Sequence, residues 1–126
     1  MGKIRGKVCI SRIEYFMEEF SFAKIEAAGN DFICIDGSRV SLDIFSGVKI
    51  KQLCDRRLGI GADGLVYLSR DSDKNLVMAY FNADGSRGEI CGNGLRAAVL
   101  FAFNLGLLQA GVDQVVRADD GLHKVL

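Results

Sequence analysis

An α+β fold follows from three features of the sequence. Short apolar runs bounded by turn residues recur along the chain, two stretches carry helix start and stop signals, and the residues after Gly94 are apolar nearly all round. A helix of that last kind belongs in an interior, and strands are the only elements available to wrap it.

The runs "FSFAKIE" (residues 20–26) and "FICID" (32–36) read as strands joined through "AAGND", where Gly29, Asn30 and Asp31 supply turn chemistry for a hairpin or a strand-loop-strand unit. Ser46 caps a helix expected to run through Arg57, with Ile50, Leu53, Cys54 and Arg57 or Leu58 at helical spacing and Gly59 as its stop. Cys54 there reads as a small buried hydrophobe. "GIGADG" (59–64) opens the strand "LVYL", and "NLVMAYF" (75–81) returns after the polar "SRDSDKN" to pair with it antiparallel. "FNADGSRGEICGNG" leaves the end of that strand, turns at Asp84-Gly85 and reaches Cys91 just before the helix formers Leu95, Arg96, Ala97, Ala98 and Leu100; Asn104 and Gly106 stop this second helix. Residues 1–19 mix basic and apolar side chains without a clean period, and Met17 offers an alternative start, so they read as an N-terminal extension of a domain spanning 20–126.

Composition narrows the function. A chain of 126 residues, 49% apolar, fills one modest core. Sixteen basic residues balance sixteen acidic ones, so no field attracts nucleic acid. Cys9, Cys34, Cys54 and Cys91 lie far apart without CxxC pairing, and His123 has no cysteine near it, so neither a metal site nor a disulfide framework is expected. With no secretory leader pattern, the thiols read as reduced and the protein as cytoplasmic. The apolar run at 95–103 falls well short of the roughly 20 residues that span a bilayer, and Gly6 stands where a myristoylation signal needs Ser or Thr. "GIGADG" follows a helix and precedes a strand, the reverse of a dinucleotide fingerprint, and reads as a tight helix-to-strand turn.

Cys91, Gly92 and Asn93 stand at the expected start of the apolar helix. A helix N-terminus carries unpaired N–H groups and partial positive charge, which favours an anion and lowers the pKa of a nearby thiol. Gly92 and Gly94 allow a ligand to approach the backbone. Those N–H groups could hold a carboxylate while Cys91 reaches the adjacent carbon. On this chemistry alone Cys91 is equally readable as a small buried filler, and Asn30 and Asn82, each beside Asp or Gly at a strand end, as turn formers.

"GNDFICID", "RRLGIGADGLV", "YFNADGS" and "EICGNGLRAA" occur in the order and at the approximate spacings of the diaminopimelate epimerases, and from Phe20 to Leu126 the chain resembles the N-terminal half of that family. "FNADGS" followed closely by "CGNG" is the most specific part. The resemblance implies a curved, mostly antiparallel sheet wrapped around a central apolar helix, and a cofactor-independent epimerase that interconverts LL- and meso-diaminopimelate. It implies that Cys91 is the first of two catalytic cysteines, that Gly92 and Asn93 bind the substrate carboxylate through their backbone, and that Asn30 and Asn82 are polar substrate contacts. Its partner is a small amino acid, with neither nucleic acid nor membrane.

This chain reads "EAAGND" where the family approaches its Asn-Asp pair through a His-Gly-Leu-Gly-like segment, and residues 1–19 match no family feature. The second domain and second cysteine that the resemblance implies are not within residues 1–126. Removing an α-proton without an electron-sink cofactor needs a base on one face of the carbon and an acid on the other. The isolated chain is therefore expected to be inactive, and to self-associate through the face a missing domain would cover. Two further readings are another cofactor-independent racemase, of the kind related to proline racemase, and a non-catalytic binding or assembly module of the same fold.

Overall fold

A computed structural model describes residues 11–15, 18–89, 92–109, 111 and 113–125, with side-chain surroundings from residue 20 onward. In chain order the strands are β1 (Ser11–Tyr15), β2 (Glu18–Ala27), β3 (Asn30–Asp36), β4 (Gly64–Arg70), β5 (Leu76–Asn82), β6 (Gln114–Ala118) and β7 (Gly121–Val125). Helix α1 (Gly47–Cys54), preceded by a 3-10 turn at Leu42–Ile44, links β3 to β4, and α2 (Gly92–Asn104) links β5 to β6. The strands lie side by side in sequence order as one seven-stranded sheet. Pairing is parallel at β3–β4 and β5–β6 and antiparallel elsewhere, so the expected α+β class with a mostly antiparallel sheet is what forms.

Parallel neighbours need a crossover, and both helices serve as one. Because β5 runs opposite to β4, two right-handed crossovers advancing the same way along the sheet put their helices on opposite faces. The side chains follow. Phe32, Cys34, Val66, Leu68, Met78 and Tyr80 pack with α2, while the intervening Ile33, Ile35, Leu65, Tyr67, Ala79 and Phe81 pack with Ile50, Leu53 and Cys54 of α1. Strands covered on both faces need apolar residues at consecutive positions, which is why "FICI" and "LVYL" are unbroken.

Each helix end has a local cause. Ser46 caps α1, its hydroxyl accepting from the Lys49 N–H at 3.2 Å. The helix stops at Cys54, three residues before the expected Arg57, because the Asp55 side chain accepts from the N–H groups of Arg57 (2.8 Å) and Leu58 (2.9 Å) and competes with continued helix. Leu58 is accordingly 91% exposed. At the other helix, Gly106 (φ +77°) ends α2: its N–H reaches Phe103 O, and that of Leu107 reaches Ala102 O, the paired bonds of a left-handed C-terminal cap.

Three further expectations change. The β2–β3 turn is Ala28-Gly29, both at positive φ, as a two-residue hairpin requires, so Asn30 and Asp31 open β3 opposite Ala27 and Glu26. Helix α2 buries Ala97, Ala98, Leu100, Phe101 and Ala102 but leaves Arg96 exposed and Phe103 43% exposed, because the sheet covers one side of it. Ser11–Tyr15, expected in an extension, form β1 on β2, which itself starts at Glu18. No helix among the described residues is long and apolar enough to cross a membrane.

Candidate functional site

The topology collects the candidate residues at one end of the sheet. Parallel β3 and β4 begin there, β5 ends there, and Phe32, Gly64 and Asn82 stand in line across the three strands. Asn30 opens β3, Asn82 closes β5, and α2 starts from the same end with Gly92 and Asn93. Asn93 Nδ2 donates to Asn30 Oδ1 at 2.7 Å, joining two candidates 63 positions apart. Gly92 has an open side: apart from its chain neighbours and its own helix backbone, nothing lies within 4 Å of where a side chain would begin. Asn82 is on the same edge, its Nδ2 donating to Ser86 Oγ at 3.1 Å within its own turn. Cys91 lies outside the described residues, as does Cys9.

The 82–88 turn is pinned to its surroundings. Gly85 (φ +89°) abuts the Gly47 backbone at the start of α1, where any side chain would overlap Gly47 O. Arg87 forms a two-point ion pair with Asp119, both bonds 2.8 Å, in the turn between β6 and β7, and its guanidinium lies 5.2 Å from the Phe81 ring centre. These anchors hold the 82–88 turn from two sides.

Three charged residues given no role in the sequence reading, Arg56, Lys24 and Asp63, together with Asp31, tie down the start of β3. Arg56, released by the early end of α1, bonds Asp31 through Nη1 (3.1 Å) and Nη2 (2.8 Å), and its Nη2 also reaches Asp63 Oδ1 at 3.1 Å. Lys24 adds a 2.9 Å pair to Asp31 and a hydrogen bond to Gly61 O. Asp63 Oδ2 accepts from Asn30 Nδ2 and from the Asp31 N–H, both at 3.1 Å. A signal for this was present: "GND" and "GAD" each place Asp two residues after a positive-φ glycine and directly before the paired residues Phe32 and Gly64 of two parallel strands.

The Arg56 hydrogen bonds hold the Asp31 carboxyl well below the usual carboxylate range; burial opposes them as the next largest effect, and the hydrogen bond and charge of Lys24 and the charge of Arg56 add to the lowering. A carboxyl depressed on folding stabilises the fold above its unfolded pKa, near 3.9, and loses that contribution as pH falls through the folded value. Urea midpoints should therefore be level from neutrality down to about pH 5 and decline below about pH 4. Asp31→Asn should lower the midpoint at pH 7 and flatten that decline; an identical pH profile in the variant would show that the pair contributes nothing.

Two thiols among the described residues, Cys34 and Cys54, are buried. Burial raises the Cys34 thiol far above its ordinary range and pushes Cys54 up to about 11. No group of three or more His, Cys, Asp or Glu able to hold a metal ion occurs among the described residues.

The Diaminopimelate epimerase family model matches residues 22–123. The diaminopimelate epimerase of Flavobacterium psychrophilum is 42% identical over 79% of this chain and 38% of its own length, and that of Desulforudis audaxviator 45% identical over 69% and 31%. The chain thus spans about a third of the length of the curated relatives it matches. A solved hydroxyproline epimerase from Agrobacterium vitis, with bound trans-4-OH-L-proline, shares the fold: TM-score 0.59 at 17% identity, over 88% of this chain and 38% of that one. The family model spans this chain from β2 to β7, and the chain belongs to the diaminopimelate epimerase family.

Proposed function

We propose that this chain is the Cys91-bearing half of a cytoplasmic, cofactor-independent epimerase that converts LL-diaminopimelate to meso-diaminopimelate. The observation that carries the reading is the 2.7 Å bond between Asn30 and Asn93, which gathers polar groups beside the first turn of α2, directly after Cys91 in the sequence. In this reading the N–H groups of Gly92 and Asn93 hold the α-carboxylate, with Asn30 and Asn82 as side-chain contacts.

The reaction requires two thiols on opposite faces of the α-carbon. One, as thiolate, takes the α-proton; the electron pair left on carbon is delocalised into the carboxylate, whose growing charge the helix N-terminus stabilises. The other thiol then gives its proton to the opposite face and becomes the thiolate. Cys91 supplies one partner, and buried Cys34 and Cys54 cannot supply the second. The second comes from a domain in the remaining two-thirds of the relatives' length, so the isolated chain is inactive. Transfer of solvent deuterium to the α-carbon of LL-diaminopimelate, by a protein joining this domain to such a second one, tests the reading; absence of both exchange and epimerisation would contradict it.

Part-exposed Phe103 and Leu105 at the end of α2 support self-association of the isolated chain. Sedimentation should show dimers or larger species, and a monomer at all concentrations would remove this part of the proposal.

A further inference from the structure

We propose that Arg56 and Asp63 are positioning residues that fix which atoms Asn30 and Asn93 present to the substrate, an inference that rests on the substrate reading of this site. An asparagine amide can point either way round, with oxygen and nitrogen exchanged, at almost no steric difference. What it offers a ligand is decided by its neighbours. A carboxylate only accepts, so Asp63 Oδ2 requires the NH2 group of Asn30 to face it, as it does at 3.1 Å. That turns Asn30 Oδ1 the other way, and an oxygen there requires the NH2 group of Asn93, which meets it at 2.7 Å. The orientation of two amides is thus inherited in sequence from one carboxylate.

Asp63 is itself held in place. Its Oδ1 takes Arg56 Nη2 at 3.1 Å, and its backbone N–H donates to Asp31 O at 2.9 Å. Arg56 reaches across because its other bonds grip Asp31, beside Asn30 in the chain. Planar, forked guanidinium geometry serves two carboxylates at once, which a lysine ammonium at the same place reproduces poorly. The ordered route runs from Arg56 through Asp63 and Asn30 to Asn93, the second residue of α2, from the loop after α1 on the opposite face of the sheet. The consequence is selective: Asn93 keeps its Oδ1 turned away from Asn30, as a fixed acceptor beside the helix N-terminus.

Asp63→Asn tests this, because the substitution is close to isosteric and removes the requirement that Asn30 present its NH2 group, together with the charge that pairs with Arg56. The side-chain amide signals of Asn30 and Asn93 are followed by 15N NMR in the folded 126-residue chain, alongside Arg56→Gln and Arg56→Lys. Asp63→Asn and Arg56→Gln should shift or broaden the Asn93 signals, two hydrogen bonds from Asp63, more than the backbone signals of Ile33 and Val66; Arg56→Lys should restore them in part. A merely structural role would lower stability and leave Asn93 undisturbed, and unchanged Asn93 signals in folded Asp63→Asn would overturn the proposal even if Arg56→Gln fails to fold. LL-diaminopimelate is then titrated into proteins that join the wild-type or the Asp63→Asn chain to the proposed second domain, with affinity expected to weaken about tenfold in Asp63→Asn. Equal affinities with displaced Asn93 signals would overturn the role in substrate binding. Absence of binding to the wild-type two-domain protein, with the Asn93 signals displaced as expected, would instead contradict the substrate reading and leave the control of amide orientation standing.

Discussion

Cys34 and Cys54 are expected to resist iodoacetamide in the folded chain while Cys91 is alkylated at least about a hundredfold faster than Cys54 near pH 7.5. The thiolate is the reacting species, so rate follows the fraction ionised and access. Cys34 is wholly enclosed between β3 and α2, and Cys54 is pushed up to about 11, so either would ionise only at a large cost in desolvation. A thiol near the ordinary value of about 8.5 is already several hundredfold more ionised than one near 11, and a helix N-terminus lowers it further. Peptide-resolved mass spectrometry against pH reads all four cysteines together. Cys91 should also exceed Cys9 below neutrality, where only a thiol of lowered pKa stays reactive. Labelling of Cys91 no faster than Cys9 would contradict an activated thiolate.

The sequence foreshadowed the interior better than the edges of the site. "FICI" and "LVYL" are apolar at every position because β3 and β4 are covered on both faces, a requirement strong enough to be visible in composition alone. Gly106 marked the end of α2 because a left-handed cap tolerates little else. The end of α1 was hidden: Ile50, Leu53 and Cys54 recur at helical spacing, but two side-chain bonds of Asp55 override the period. Hairpin position was misjudged for a related reason, since Asn30 and Asp31 are good turn formers that are instead held in β3 by Asp63 and Arg56. Those partners come from a loop 25 or more residues away, a distance no local pattern spans. Strands β6 and β7 are short and half-covered, so their alternation is weak, and they were not anticipated as separate elements.

The second large effect concerns catalysis. In a protein that joins this chain to the proposed second domain, Cys91→Ser should bind LL-diaminopimelate with similar affinity but epimerise it about 10²–10⁴-fold more slowly. Serine preserves size and hydrogen bonding but is a far weaker acid, so its alkoxide is scarcely present to take the α-proton at neutral pH. Cys91→Ala should be at least as slow. Loss should fall on kcat more than on KM, because the thiol acts on the proton in transit while the carboxylate is held by the backbone of α2.

That difference gives the most direct test of the account. LL-diaminopimelate is incubated in deuterated water with the two-domain protein, with its Cys91→Ala variant and with the isolated 126-residue chain. Deuterium at the α-carbon is followed by NMR, and the stereochemical outcome by chiral chromatography. Exchange and epimerisation by the two-domain protein, with neither catalysed by the variant or by the isolated chain, is the predicted result. Full epimerisation by Cys91→Ala would contradict the role of Cys91, and turnover by the isolated chain as a monomer would contradict the requirement for two thiols.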